Sequence, residues 1–357
     1  MSRIALVTLD YPPEFGGVAR YLGNLVKSAH GEIDVFVPET HATDGPGKVT
    51  AVKLLATTFI RWLPAIGFIR QLKKDYEWVL VSHALPLGTA AWIARLFGGP
   101  KYAVLMHGLD LRLALTSKRK RWILRHVLHG ADLVIANSEF TAQEITTFNS
   151  HKPIVITPGV ESILYPKRSN ARRTLGINEQ EMIILSIARL VPRKGIDELI
   201  KVLPNLPPNA RMVVIGDGVD YRRLRELAEP VADRVQFILH ATDEERNQWL
   251  AAADIFALLP RDEGRDVEGF GIVFLEAAQA GLPIIASVSG GVAEAVVGGV
   301  TGICVPSENS SRLTEVLIAL IDHPEDRQKL GEAGRARVEN HFRWTDRWMK
   351  LKQAMKL

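Results

Sequence analysis

The sequence has little cysteine. One residue of this type, Cys304, occurs in 357 residues. A single thiol excludes an intrachain disulfide and a cysteine-based metal cluster. Because Cys304 lies in an apolar stretch at 302–305, we interpret it as a small buried hydrophobic residue.

Long apolar runs are missing too. No run of about 18 or more apolar residues is present, which excludes an ordinary membrane-spanning helix. Residues 1–3 lead directly into an apolar segment, without the basic region, apolar core and cleavage site of a secretory leader. We therefore expect a cytoplasmic protein, either free or peripheral on the inner face of the cell membrane.

Metal-binding patterns are absent as well. The sequence has no Asp-x-Asp pair and no cluster of His or Cys residues, so the ligands that a metal-dependent reaction needs are lacking. We expect neither a metal nor a cofactor beyond the substrates.

The sequence does contain enough apolar material for two domain cores. It is 47% hydrophobic and 24% charged, a balance typical of globular proteins. The charge is uneven, because 1–160 carries 18 Lys and Arg against 12 Asp and Glu, whereas 161–357 carries 26 against 28. The basic first half indicates an anionic partner such as a lipid surface, a phosphorylated acceptor or nucleic acid.

Short β-branched runs alternate with helical patterns along the whole chain, which is typical of parallel sheets wound with helices. Strands are predicted at 4–9, 33–37, 78–82, 102–106, 133–136 and 154–157, and then at 182–188, 211–215, 235–239, 255–259, 283–286 and 302–305. We therefore predict an α/β fold of two doubly wound, Rossmann-like domains at 1–160 and 161–340. Ligands are expected beyond the carboxyl ends of the strands, in a cleft between the domains.

A glycine loop joins the first strand to the first helix. Gly16 and Gly17, at the end of the loop 11–17, place bare backbone at a helix N-terminus, where unpaired N–H groups and the helix dipole favour phosphate. The alternative is a turn that only reverses the chain.

Three cations follow a predicted strand of the second half. Arg189, Arg193 and Lys194 lie at its carboxyl edge, where they can balance the charge on a departing nucleoside diphosphate. The alternative is a solvated basic turn.

Two glutamates stand eight positions apart in the segment 266–278. Glu268 lies in a glycine loop, and Glu276 is the only charge in a helix predicted at 272–280. A buried lone carboxylate costs several kcal/mol unless it is hydrogen-bonded, and ribose hydroxyls would satisfy it. In the alternative, Glu276 lies on an exposed face.

His107 follows a predicted strand end in the first half. A single histidine is more often structural than catalytic. Because this one lies at a predicted ligand-bearing edge, a structural role and a functional role are given equal weight.

These segments together resemble the retaining GT-B glycosyltransferases of family 4 across nearly the whole chain. Glu268 and Glu276 look like the family's Glu-x7-Glu signature, in which the first glutamate faces the donor hexose and the second holds the nucleotide ribose. The resemblance implies that His107 lies near O6 of the donor sugar. It further implies catalytic roles for His107, Arg189, Lys194 and Glu268. Asp10 and Tyr11 are expected to contact the acceptor. The implied donor-binding residues are Gly16, Gly17, Arg189, Lys194, Gly216, Glu268, Gly269, Phe270, Gly271, Ile272, Val273 and Glu276.

Within that family, three segments look most like mannosyltransferases of phosphatidylinositol mannoside assembly, which use GDP-mannose. They are 189–195, 250–256 and 266–269. The resemblance implies a metal-independent, retaining transfer to a lipid-linked or glycan acceptor, and a final helix within 341–357 that crosses back to the first domain. The acidic loop 261–265 departs from those enzymes.

Other functions on the same fold stay open. A sugar-nucleotide 2-epimerase would need acid/base carboxylates in the first domain, and none is identified. A non-catalytic sugar- or lipid-binding protein would tolerate loss of the signature residues, yet all are present.

Two segments of the first half, 59–70 and 118–125, combine cations with bulky apolar side chains. This composition predicts binding to an anionic membrane surface. Ordinary solvated helices are the alternative. Nucleic acid is not expected as a partner, since no nucleic-acid-binding motif accompanies the basic run.

Overall fold

The computed structural model describes residues 4–14, 16–56, 60–148, 152–264 and 267–357. The chain forms two compact units. The first contains 1–161 and 344–357, and the second contains 162–343.

The first unit is built on a parallel sheet. Its strands are β1 (Ile4–Val7), β2 (Ile33–Pro38), β3 (Lys48–Val52), β4 (Trp78–Val81), β5 (Lys101–Met106), β6 (Leu133–Ala136) and β7 (Ile154–Val155). They lie in the order β3-β2-β1-β4-β5-β6-β7, and every neighbouring pair is parallel. The order reverses between β1 and β4, which makes the carboxyl ends of those strands the expected ligand edge.

Helices cover this sheet. They are α1 (Gly17–Ser28), α2 (Leu63–Leu72), α3 (Thr89–Leu96), α4 (Leu109–Leu115), α5 (Lys118–Gly130) and α6 (Glu139–Thr146), with a π-helical turn at Ala84–Gly88. The central strands are buried along their whole length, as expected for a sheet with both faces covered.

The second unit has its own parallel sheet. Its strands are β8 (Met182–Ile187), β9 (Ala210–Ile215), β10 (Val235–Ile238), β11 (Ile255–Leu258), β12 (Ile284–Ser287) and β13 (Gly302–Val305). They lie in the order β10-β9-β8-β11-β12-β13, again all parallel. Here the order reverses between β8 and β11.

The helices of the second unit are α7 (Arg168–Thr174), α8 (Ile196–Val202), α9 (Tyr221–Leu227), α10 (Asp243–Ala252), α11 (Ile272–Ala280), α12 (Val292–Ala295), α13 (Ser310–Asp322) and α14 (Pro324–His341). Short 3-10 turns occur at Pro192–Lys194, Leu203–Asn205 and Glu229–Arg234. The α/β class with two doubly wound sheets is therefore confirmed.

Two details differ from the sequence-based predictions. The first sheet has one strand more than predicted, because β3 is an exposed edge strand with no continuous apolar run. Cys304 on β13 is half-buried rather than buried.

The last helix, α15 (Trp344–Met355), belongs to the first unit. The ring of Trp344 lies edge-on to that of Tyr21 on α1, with 5.1 Å between centroids. Arg347 donates a 2.8 Å hydrogen bond to the Thr157 hydroxyl, and Lys352 pairs with Glu32 at 2.7 Å. These contacts join the last helix to residues near the start and near the end of the segment 1–161.

No helix among the described residues is long and apolar enough to cross a membrane.

Candidate functional site

At the reversal point of the second sheet, the loops after β8 and β11 press against each other. The backbone N–H of Arg261 donates to the Arg193 carbonyl at 2.8 Å. Gly195 has φ +67, and a Cβ there would lie 2.0 Å from the Leu259 carbonyl oxygen. Only glycine therefore permits this contact between the two loops.

These loops bring Lys194 and Glu268 together. The Lys194 ammonium donates to Glu268 Oε2, and Arg193 Nη1 donates to the same oxygen at 3.0 Å. All three side chains are buried. Burial by itself would raise the pKa of the Glu268 carboxyl, but the charges of Lys194 and Arg193 outweigh it and bring that pKa to about 2. Glu268 is therefore ionised at neutral pH.

A glycine pair after β12 supports the Glu268 loop. The Gly291 N–H donates to the Glu268 carbonyl at 2.9 Å. Gly290 has φ +53, and a Cβ there would lie 2.1 Å from that same carbonyl oxygen. A Cβ on Gly291 would lie 2.2 Å from the Gly269 carbonyl oxygen. The sequence interpretation missed Gly290 and Gly291, although an adjacent pair of glycines shortly after a predicted strand was a usable signal.

The helix α11 spans the residues predicted for it, Ile272–Ala280. Glu276 is buried there, as predicted, but it is not alone. Arg246 on α10 donates to its Oε2 at 2.6 Å, and Arg246 is buried as well. The protein thus supplies a cation for this carboxylate, a partner that the sequence analysis did not identify.

The start of α11 is formed by the predicted glycine loop. Gly271 adopts φ +87 as the N-cap, and no side chain caps the helix. Phe270 is buried and packs on the ring of Phe342, with 6.0 Å between centroids. Gly269, Ile272 and Val273 are half-buried. Asp266, which belongs to the predicted motif, lies outside the described residues.

Two other predicted donor residues have different surroundings. Arg189 is exposed, and no hydrogen bond or ion pair of its side chain occurs within the described part of the chain. Gly216 has φ +135, and a Cβ there would lie 2.0 Å from the Ala188 carbonyl oxygen. Gly216 is thus required for the close packing of the loops after β8 and β9.

At the reversal point of the first sheet, a polar network joins the ends of β1 and β4. His83 Nε2 lies 3.1 Å from Asp10 Oδ2, and His83 Nδ1 lies 2.7 Å from the Ser82 hydroxyl. Ser82 donates to the Thr8 hydroxyl at 2.7 Å. The hydrogen bond with His83 lowers the pKa of Asp10. Thr8, Ser82 and His83 were missed from the sequence, although His83 follows a predicted strand end just as His107 does.

His107 follows β5 at the same edge. It is half-buried, and its ring is edge-on to Tyr21, with 5.3 Å between centroids. Its Nε2 is shielded from solvent and has no hydrogen-bond partner among the described residues. Burial lowers the pKa of His107 to about 3, so the ring is neutral at physiological pH.

The first glycine loop is only partly described, because Phe15 lies outside the described residues. Cβ atoms on Gly16 and Gly17 would meet nothing within 4 Å, and α1 begins without a side-chain cap. Tyr11, a predicted acceptor contact, is instead buried, and its hydroxyl donates to the Pro46 carbonyl at 2.6 Å.

The two basic segments form helices of the first unit. Exposed side chains on α5 make up what we call the α5 surface: Lys118, Arg119, Lys120, Arg121, Trp122 and Arg125. The Trp122 ring is 56% exposed. α3 packs between α2 and α5, and its end exposes Leu96 and Phe97, each 65%. Phe59, the first residue of the other segment, lies outside the described residues.

The sequence matches known families over most of its length. Residues 167–337 match the family described as glycosyl transferases group 1. Residues 15–162 match the family described as glycosyltransferase family 4.

Curated relatives cover nearly the whole chain. The GDP-mannose-dependent monoacylated alpha-(1-6)-phosphatidylinositol monomannoside mannosyltransferase of Corynebacterium glutamicum is 33% identical over 95% of this chain and 94% of its own. The GDP-mannose-dependent alpha-(1-6)-phosphatidylinositol monomannoside mannosyltransferase of Mycobacterium tuberculosis is 31% identical, covering 96% and 95%.

Among solved structures, sucrose-phosphate synthase from Thermosynechococcus elongatus superimposes with a TM-score of 0.83 at 21% identity, covering 100% of this chain and 98% of that one. This likeness concerns the fold.

Proposed function

Because the chain belongs to the GT-B glycosyltransferases of family 4, we propose that it moves a hexose from a nucleoside-diphosphate sugar to a lipid-linked or glycan acceptor. Mannose from GDP-mannose is the favoured donor, since both relatives above carry GDP-mannose in their names. The observation that carries the proposal is the contact of Lys194 with Glu268 at the carboxyl end of β8.

The leaving group is stabilised by side chains rather than by a metal. Arg189 is exposed at the same edge, and it joins Lys194 in balancing the charge that grows on the diphosphate. No side chain caps the start of α11, and a helix N-terminus of this kind favours an anion. Glu276 holds the ribose while Arg246 keeps its carboxylate in place.

The transfer retains the α configuration by a front-face mechanism. The bond between the anomeric carbon and the diphosphate oxygen breaks, and the acceptor oxygen bonds to that carbon from the same face. The acceptor's proton passes to a phosphate oxygen. Glu268 supports this choice over a covalent intermediate, because the Arg193 guanidinium engages its Oε2 at 3.0 Å, which weakens it as a nucleophile.

The first unit contributes the groups that meet hydroxyls. Asp10 accepts a hydrogen bond from the acceptor. His107 is neutral, and its Nε2 has no partner among the residues that the structure describes, so it can bond a sugar hydroxyl; we assign it to O6 of the donor.

The acceptor is presented at a membrane. The α5 surface offers cations beside Trp122 and the exposed apolar end of α3, a composition that favours an anionic leaflet. We place the enzyme on the cytoplasmic face of the cell membrane.

The test is ligand screening followed by product analysis. A donor that binds the folded state raises the melting temperature, so we expect a larger rise with GDP-mannose than with UDP- or ADP-sugars. NMR of the product should show an α linkage. A β-linked product, or a free epimer released without acceptor, would contradict the proposal.

A further inference from the structure

Two cations share one carboxylate oxygen in the second unit. Arg193 Nη1 and the Lys194 ammonium both contact Glu268 Oε2, at 3.0 Å for the arginine. Each of the three residues is 9% exposed. Among the described residues, the charged partners of this carboxylate are these two cations.

The sharing matters because the proposed function, on which this inference rests, requires Lys194 to serve the diphosphate. A buried carboxylate that loses its only cation is strongly destabilised. If Lys194 were the sole partner, its attraction to Glu268 would oppose its transfer to the donor. A second cation on the same oxygen removes that conflict.

Arg193 is held where it can provide this second charge. Arg261 fixes the turn from the other loop: its N–H donates to the Arg193 carbonyl at 2.8 Å, and its Nη2 donates to the Pro192 carbonyl at 2.9 Å. Arg261 is itself paired with Asp197 at 3.0 Å. Arg193 thus has an anchored backbone, and its side chain is directed to Glu268.

We propose that Arg193 is a positioning residue that keeps Glu268 ionised and in place while Lys194 moves from that carboxylate to the diphosphate. Arg193 acts through Glu268 and does not contact the donor. The rival role is a direct contact between Arg193 and the diphosphate, which would make it equivalent to Arg189.

Binding of GDP, measured by calorimetry on the full-length protein, separates these roles. Arg193→Gln should weaken GDP binding by about tenfold, because Glu268 then holds Lys194 alone. Adding Glu268→Gln should restore most of the affinity, since Lys194 becomes free. A direct contact between Arg193 and GDP predicts no recovery in the double variant.

Matched variants exclude a simple effect of net charge. Asp262→Asn removes one negative charge from the loop that follows β11, so adding it to Arg193→Gln should leave GDP binding weak. Arg193→Lys should bind GDP nearly as the parent does. Arg211→Gln, which removes an arginine from β9, should have no effect.

A pH profile gives a second readout. Loss of Arg193 removes a charge that lowers the pKa of Glu268. As the solution is acidified, Arg193→Gln should therefore lose turnover at a higher pH than the parent does. Arg193→Lys should return the profile to the parental one. A merely structural role would lower turnover equally at all pH values.

The inference is overturned if Arg193→Gln binds GDP as tightly as the parent, or if the double variant stays as weak as the single one. If the parent bound no nucleoside diphosphate at all, the proposed function would fail first.

Discussion

The two sheets reverse their strand order in the same way, yet they carry different chemistry at the reversal points. In the second unit, charged side chains meet charged partners: Glu268 meets Arg193 and Lys194, and Glu276 meets Arg246. In the first unit, the Asp10 carboxylate contacts His83, the other ring nitrogen of His83 contacts the Ser82 hydroxyl, and the ring of His107 is neutral.

Under the proposed function, this difference lets one topology serve two substrates. A doubly wound sheet fixes where a ligand lies, and the side chains at that edge decide what it binds. Ion pairs that can be exchanged suit a diphosphate, whereas neutral donors and acceptors suit sugar hydroxyls. The predictions below test this division, from the largest effect to the smallest.

The largest effect is expected from Lys194→Ala. It should lower the turnover of transfer on the order of a hundredfold or more, because a charge that stabilises the leaving group is lost. Arg189→Ala should act similarly. Steady-state kinetics with saturating donor provides the measurement.

Arg225→Ala is the matched control, since it removes an exposed cation from α9. Full turnover of Lys194→Ala would show that Lys194 does not stabilise the leaving group. The proposed difference between the two units would then lose its support.

Neutralising Lys118, Arg119, Lys120 and Arg121 to Gln should weaken binding to anionic vesicles by more than about tenfold. Each basic residue near such a surface contributes roughly 1 kcal/mol, and added salt should weaken the parent as well. Vesicle flotation measures the effect.

Replacing Arg222 and Arg225 in the second unit should leave flotation unchanged. Equal binding of the parent to neutral and anionic vesicles would show that the α5 surface does not bind anionic lipid selectively. A soluble glycan would then be the better acceptor.

Glu276→Ala should raise the KM for the donor by about tenfold with a smaller change in turnover, because the ribose loses a charge-assisted hydrogen bond. It should also lower the melting temperature, since the buried Arg246 loses its 2.6 Å contact with this carboxylate.

Glu276→Gln together with Arg246→Met should recover stability but not donor affinity. Recovery of both stability and donor affinity would show that Glu276 stabilises the fold and does not bind the donor. Steady-state kinetics and thermal melts of the same preparations distinguish these outcomes.

The smallest effect concerns acid stability. The ordinary pKa of histidine is 6.5, and that of His107 is about 3 in the folded chain. Between these values the unfolded chain binds a proton that the folded chain does not, so acidification favours unfolding. Stability should therefore rise as pH increases across this window.

His107→Gln should reduce the loss of melting temperature between pH 7 and 5. The exposed His240 offers a control, since His240→Gln should keep the parental pH dependence. Identical pH dependence in parent and His107→Gln would show that His107 is not held neutral.

Sequence patterns predicted most of the fold. The strands β6 and β13 and the helix α11 have the predicted bounds. Short apolar runs define the two strands, and Gly271 and Gly281 bound the helix. The exposed strand β3 has no such run, since its stability comes from pairing with β2.

The contacts within the site were harder to predict from the sequence. The contact of Glu268 with Lys194 joins residues 74 positions apart, and that of Glu276 with Arg246 spans 30. No local pattern marks such pairs, although their members can be recognised as charges in apolar surroundings. Arg246 in particular lies on a helix whose many charged residues resemble a solvated face.

The return of α15 to the first unit has a consequence for biosynthesis. Domains generally fold as units during synthesis, starting from the N-terminus. Here the second unit, 162–343, is complete in sequence before the ribosome has made Trp344–Met355, which supplies the buried partner of Tyr21. The unit that begins first is thus finished last, and until then the Tyr21 ring on α1 lacks its edge-on contact with Trp344.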